Sequence, residues 1–170
     1  MSLSESLLTE LEQETQITRR VLERIKDEHL NFKPHPKSRT LGELALHIAT
    51  VPGAVAAMAI QDKVQAPTFK DPSPNSIQEI HDALEKSIAR AKEVLSGVSD
   101  EVLHSSWTMM LGDKEIFSQP KLQVLRSIML NHWYHHRGQL SVYLRELDVP
   151  IPSIYGPSAD ENPLAAQDPG

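Results

Sequence analysis

The stretch Asn131-His132-Trp133-Tyr134-His135-His136-Arg137-Gly138-Gln139-Leu140 constrains this chain more than any other. It lies in a run without proline from about Lys121 to about Asp148 that reads as one helix. An α-helix advances about 100° per residue, so His132 and His136 point the same way, about 40° apart. Leu125, Ile128, Met129, Gln139 and Tyr143 fall on their side, while Tyr134, Arg137, Ser141 and Arg145 fall opposite. Two imidazoles on the apolar stripe of a helix face the interior of whatever that helix packs into. There they can grip one metal ion, provided a third ligand comes from another element. An H-x-x-x-H pair alone is a weak signal, because a buried histidine is more often a hydrogen-bonded core residue.

Three further helices are legible. Leu7, Leu8, Leu11, Ile17, Val21, Leu22 and Ile25 recur at helical spacing across a segment from about Ser4 to His29. Pro34 and Pro36 then rule out helix interior. Thr40 followed by Glu43 has capping-box spacing and opens a second helix whose inward face is Leu44, His47, Ile48 and Val51. Pro52-Gly53 predicts a kink or short break, with helix resuming through Ile60. A loop through Pro67, Pro72 and Pro74 leads to Ser76 and Glu79, a second box, and to a third helix ending at about Leu95 near Gly97. Ser99-Asp100-Glu101 caps one short turn. From His104 to Gln119 helical period is lost, which predicts a crossover with at most a small hairpin about Gly112-Asp113. Pro120 suits the first turn of the fourth helix.

Four long helices with one longer connection before the last predict an all-α four-helix bundle in a single domain over residues 1–170. Its core runs from about 4 to 148, and residues 149–170 form an irregular tail. A bundle brings facing helices together, so His47 comes within reach of His132 and His136.

Composition removes several classes of function. The formal charge is −6, with no block of one sign, and gives no footprint for nucleic acid or an anionic membrane. No cysteine is present, which excludes disulfides, thiolate ligands and a protein thiol nucleophile, and suits a cytoplasmic setting. The N-terminus lacks the pattern of a signal peptide, and no stretch reads as a membrane span. Gly-rich phosphate loops, the G-x-S-x-G elbow and a Walker lysine are all missing.

Three neutral imidazoles on one ion leave a coordination position open, the catalytic rather than the structural pattern for zinc. Nickel, iron or manganese also accept such donors. Water there would be acidified, or a substrate thiol held as thiolate. The metalloprotease motif is excluded, since Trp133 stands where H-E-x-x-H has glutamate. Glu43, one turn before His47, is the nearest carboxylate in sequence, although a capping glutamate is its commoner role. His135, Gln139 and Tyr143 are candidate pocket residues or supports for the ligands, and His135 could replace His136 as a ligand. His29, His35, His81 and His104 read as surface or loop residues.

The segment Thr40-Leu41-Gly42-Glu43-Leu44-Ala45-Leu46-His47-Ile48-Ala49, the run Asn131-His132 to His136-Arg137-Gly138-Gln139-Leu140, and the tail Val149 to Glu161 together resemble the DinB/YfiT-like superfamily. The resemblance implies a four-helix bundle, often a homodimer, with a divalent metal held by His47, His132 and His136. It implies a metal-dependent enzyme acting on a small molecule, either transferring a low-molecular-weight thiol cosubstrate to an electrophile or hydrolysing with metal-bound water. A non-catalytic bundle binding a small molecule or partner is the reading from another class. Trp133 and Tyr134 are candidate dimer contacts.

Overall fold

The computed structural model describes residues 1–68 and 72–165. Residues 69–71 of the expected proline-rich loop, and the last five of the expected tail, lie outside the described residues. The chain is mostly helical. Helix α1 spans Leu3–Leu22, α2 Leu41–Ala59, α3 Ile77–Leu95 and the short α4 Asp100–His104. The last long helix is a continuous run in three parts: α5 (Lys121–Val124), a π-helical segment (Leu125–Asn131) and α6 (His132–Glu146). Helix α2 packs between α3 and the last helix, and α1 closes the other side against the same two.

Each start follows from its cap. Ser2, Thr40, Ser76 and Ser99 accept hydrogen bonds from the amides three residues on, satisfying donors that a helix N-terminus leaves without partners. Glu5 and Glu43 return the bond to Ser2 and Thr40. The buried stripes are apolar and interlock in one core that includes Leu11, Leu44, Ile48, Leu84, Leu95 and Leu140.

Five features differ from the sequence reading. Helix α1 ends at Leu22 rather than His29, followed by a 3-10 turn at Asp27–His29. Leaving the helix early lets the Asp27 carboxylate accept from the Ile77 amide, 2.7 Å away, at the start of α3. The carbonyls of Leu30 and Phe32 meanwhile accept from Gly42 and Leu41 at the start of α2. Helix α2 runs through Pro52 without a break. The Ser87 hydroxyl of α3 accepts from the Gly53 amide at 2.8 Å and donates to the Thr50 carbonyl at 3.1 Å, supplying partners beside the proline. A Cβ on Gly53 would lie 2.5 Å from the Ser87 carbonyl oxygen, so glycine permits that approach.

The crossover holds a sheet larger than a hairpin. Strands β2 (Ser106–Leu111) and β3 (Lys114–Pro120) pair antiparallel across the Gly112 turn, with a register shift between Met109 and Met110. A third strand, β1 (Lys63–Gln65), joins β2 in parallel, Val64 opposite Met109. Parallel neighbours need a long connection, and α3 provides it. Trp107 of β2 is buried and its indole donates to the Met58 carbonyl at 3.2 Å, pinning the sheet to the end of α2. The fourth difference is the π-helical segment. One extra residue per turn changes the phase between α5 and α6, a widening frequent at functional sites.

Helix α2 is also long and apolar enough to cross a membrane by length and composition, contrary to the sequence reading. Its apolar surface is spent on the bundle, where Leu44, Ala45, Ile48, Ala49 and Val51 are buried. A core helix needs that hydropathy on most of its faces.

Candidate metal centre

His47 lies on the inward side of α2, and α6 begins at His132. With His136 one turn later, α6 presents two imidazoles to the first. Ring centroids are 5.2 Å apart for His47 and His132, 4.6 Å for His47 and His136, and 4.4 Å for His132 and His136. One ring nitrogen from each lies within 4.8 Å of the others. The Nε2 atoms of His132 and His136 approach to 2.8 Å. Two lone pairs that close repel unless a proton or a cation stands between them.

Burial disfavours the charged form of His132 and His136. It pushes His136 down to about 4, against the weaker opposing effect of its hydrogen bond to Gln139, with the nearby His132 and then Arg39 adding to the depression. His132 is lowered mainly by burial, while the Ile128 carbonyl supports its charged form. Neutral imidazoles at pH 7 have the lone pairs a metal needs. The His136 Nδ1 lies 2.7 Å from Gln139 Oε1; as Nδ1–H donor it leaves Nε2 as the coordinating atom. The donor set thus fits a divalent cation.

Two cavities meet at the cluster. One, of about 510 Å³, is walled mostly by apolar side chains, among them Val51, Val55, Met58, Met109 and Ile128, with His47 and His132 at one side. Its volume is in the range of small-molecule sites. The other, of about 370 Å³, is polar and is lined by Lys37, Ser38, Arg39, His136, Gln139 and Tyr143. Arg39 borders both.

The remaining candidates take distinct places. Both Glu43 oxygens are occupied: the Thr40 amide donates at 2.8 Å and the Ser73 hydroxyl at 3.1 Å. These bonds, led by Thr40, hold its carboxyl below the usual range. No carboxylate joins the three histidines among the described residues. His135 is exposed, its ring 5.1 Å from that of His136 and outside the nitrogen cluster. Tyr143 lines the polar cavity and donates to the Arg39 carbonyl at 3.2 Å.

Arg137 lies opposite the histidines, as helical spacing predicts, but that face is covered, and the two candidate dimer contacts are engaged inside the chain. Trp133 is fully buried, and Tyr134 donates to Glu10 at 2.9 Å, so both pack within the chain. Arg137 is 1% exposed and faces α1. Its guanidinium donates to the Glu14 carboxylate and carbonyl, to Thr18 Oγ1 and to Tyr155, and lies over the Tyr134 and Tyr155 rings. Burial, then the bond to Glu14, pushes the Tyr155 hydroxyl up to about 12. The side of α6 opposite the histidines therefore packs on α1 and the tail rather than meeting water.

Arg39, Lys37, Met58 and Met109 escape the sequence reading as a group, since they sit on a loop, a helix end and a strand with no shared period. The one available signal was the run from Asn31 to Gly42, which has Lys33, Lys37 and Arg39 and no acid.

The chain resembles known proteins in sequence and in fold. The sequence model of the DinB family matches residues 1–166. A Bacillus subtilis protein of uncharacterised function, YrdA, is 28% identical over 151 residues, covering 87% of this chain and 85% of its own. A DinB-like protein from Bacillus cereus superposes with a TM-score of 0.70 at 28% identity, over 89% of this chain and 97% of that one. Bacillus subtilis YfiT, described as a probable metal-dependent hydrolase with an unusual four-helix bundle topology, has a TM-score of 0.63. It is 13% identical, with 86% of this chain and 88% of that one covered, and so shares the fold.

Proposed function

The chain belongs to the DinB family, and from that premise we propose a metal-dependent enzyme that transfers a low-molecular-weight thiol to an electrophilic small molecule. His47, His132 and His136 hold one divalent cation, zinc first, with nickel, iron or manganese as alternatives. One observation carries the reading: three ring nitrogens within 4.8 Å of one another, joined by no carboxylate among the described residues, beside a largely apolar cavity of about 510 Å³. A bound cation supplies Lewis acidity, which stabilises a thiol as its thiolate near neutral pH.

The chain's own residues do the rest. Gln139 fixes the His136 ring, while Met58, Met109 and Ile128 receive the apolar body of the electrophile and exclude water. With no cysteine in the sequence, the sulfur must arrive on a cosubstrate. A cytoplasmic setting supplies such thiols, and a homodimer is part of the reading. The substrate is a small molecule rather than nucleic acid or a membrane.

Hydrolysis is the second reading, favoured by the description of YfiT. It wants a general base as well, and Glu43 is committed to its cap.

The test is turnover of 1-chloro-2,4-dinitrobenzene by zinc-loaded protein with and without added cysteine. Transfer forms a carbon–sulfur bond, expels chloride and releases the thiol proton to solvent. Product formation that requires the thiol and disappears in His132→Ala supports transfer. Cleavage of ester substrates without thiol supports hydrolysis instead. A triple histidine variant that folds and still binds the small molecule normally points to a non-catalytic bundle.

A further inference from the structure

The apolar cavity beside the histidines has a shape as well as a lining. On α2, His47, Val51, Ala54, Val55 and Met58 all border it at helical spacing, so one face of the helix forms its long wall. A sphere of about 510 Å³ is about 10 Å across, whereas α2 advances about 16 Å from His47 to Met58, so the cavity is long rather than round. Its polar groups gather at one end. His47 and His132 stand there with Arg39, which also borders the polar cavity. The Thr50 hydroxyl, one turn on, donates to the Leu46 carbonyl at 3.0 Å. From Val51 onward the lining is apolar, with Ile128, one turn before His132, and Met109 of β2 completing the wall. Strand β2 is held to the end of α2 by the bond from the Trp107 indole to the Met58 carbonyl. The far end is therefore built from two thioether side chains, which adapt their shape to an apolar guest.

We propose that the small molecule this site takes is an unbranched alkyl compound with one polar, reactive end. That end sits at the histidines, and the chain runs along α2 past Ala54 to Met58 and Met109. An extended chain advances about 1.3 Å per carbon, so about ten carbons and a head group fill the length. Each buried methylene tightens binding about fourfold while room remains. A hydrocarbon chain leaves no polar atom without a partner beyond Thr50, where a sugar or a peptide would leave several. The proposal deepens the metal-dependent reading and rests on it for the reaction, though not for the binding.

Isothermal calorimetry on the full, zinc-loaded chain tests it with the linear 1-alkanols from hexanol to dodecanol. The control is 1-adamantanol, which has as many carbons as 1-decanol, folded into a ball. Affinity is expected to rise about fourfold per methylene up to decanol and to stop there, with decanol about tenfold tighter than adamantanol or better. Ala54→Phe places a ring partway along the cleft from an exposed position, so the rise should stop near hexanol. Ala54→Leu, a smaller plug, should stop it between the two. Zinc content of each variant, read by mass spectrometry, reports that the bundle and its histidines remain intact. Adamantanol binding as tightly as decanol, a rise that continues unchanged to dodecanol, no binding of any alkanol, or a series unaltered in both variants would each overturn the proposal. A chain that takes up no zinc but keeps the length limit contradicts the metal-dependent reading and leaves the alkyl cleft standing.

Discussion

Helix α6 carries two polar constellations on opposite faces, from residues adjacent in sequence. His132 and His136 face α2 and the cavities; Arg137 faces α1 and the tail. The Arg137 side is complete: the Glu14 carboxylate and carbonyl, the Thr18 hydroxyl and Tyr155 accept from or surround its guanidinium. On the histidine side burial disfavours charge on His132 and His136, no carboxylate joins the cluster among the described residues, and open space lies beside it. The first arrangement uses its partners to hold elements together, and the second offers three donors of a kind that suits a cation. Neighbouring residues of one motif thus serve different ends, and only their partners distinguish them.

The contrast predicts opposite responses to substitution. Replacing Arg137 by Met leaves Glu14 buried without its counter-charge, and should lower unfolding stability by about 3–5 kcal/mol in a denaturant titration. His132→Ala should lose the metal while the metal-free protein keeps most of its stability. Comparable losses of stability in both would erase the distinction.

Acid should act on the histidine side. With His136 near 4 when folded and near 6.5 when unfolded, the unfolded chain binds the extra proton first. Stability of the metal-free protein is therefore full above about 6.5, falls as pH drops toward 4, and levels off below. The contribution is on the order of 3 kcal/mol. Thermal unfolding across that window, compared with His136→Ala, reads it; identical slopes would contradict the assignment.

Smaller effects come from the supports. Gln139→Ala frees the His136 ring to turn and should weaken metal affinity about 10- to 100-fold with little change in stability. Tyr155→Phe removes one hydroxyl from the Arg137 network and should cost about 1 kcal/mol, leaving metal affinity untouched. A Tyr155→Phe effect on metal affinity as large as that of Gln139→Ala would mean that the two faces are coupled.

Much of this was readable in the sequence. The capping box at Thr40 and the histidine spacing on α6 are local, so they survive into the structure unchanged in register. Strand β1 was not readable, because three residues carry no period and their pairing depends on α3 bringing Lys63–Gln65 alongside β2. The π-helical turn was hidden for a related reason: Leu125–Asn131 reads as ordinary helix until tertiary packing widens it. Helical spacing places Arg137 opposite the histidines, but a single-helix projection cannot show that this second side of α6 is also covered. Glu14, Thr15 and Thr18, buried on an otherwise amphipathic α1, lie on the other side of that contact, where an apolar stripe gives no sign of them. Arg39 and the methionine wall come from separate elements, so nothing local links them.

The central claim is that the three histidines hold one divalent cation. Untagged protein purified without chelators, analysed by mass spectrometry beside His47→Ala and His132→Ala, tests it most directly. About one zinc, nickel or similar ion per wild-type chain, lost from both variants, is the predicted result. A folded wild type that carries no metal and takes up none from added zinc would contradict it.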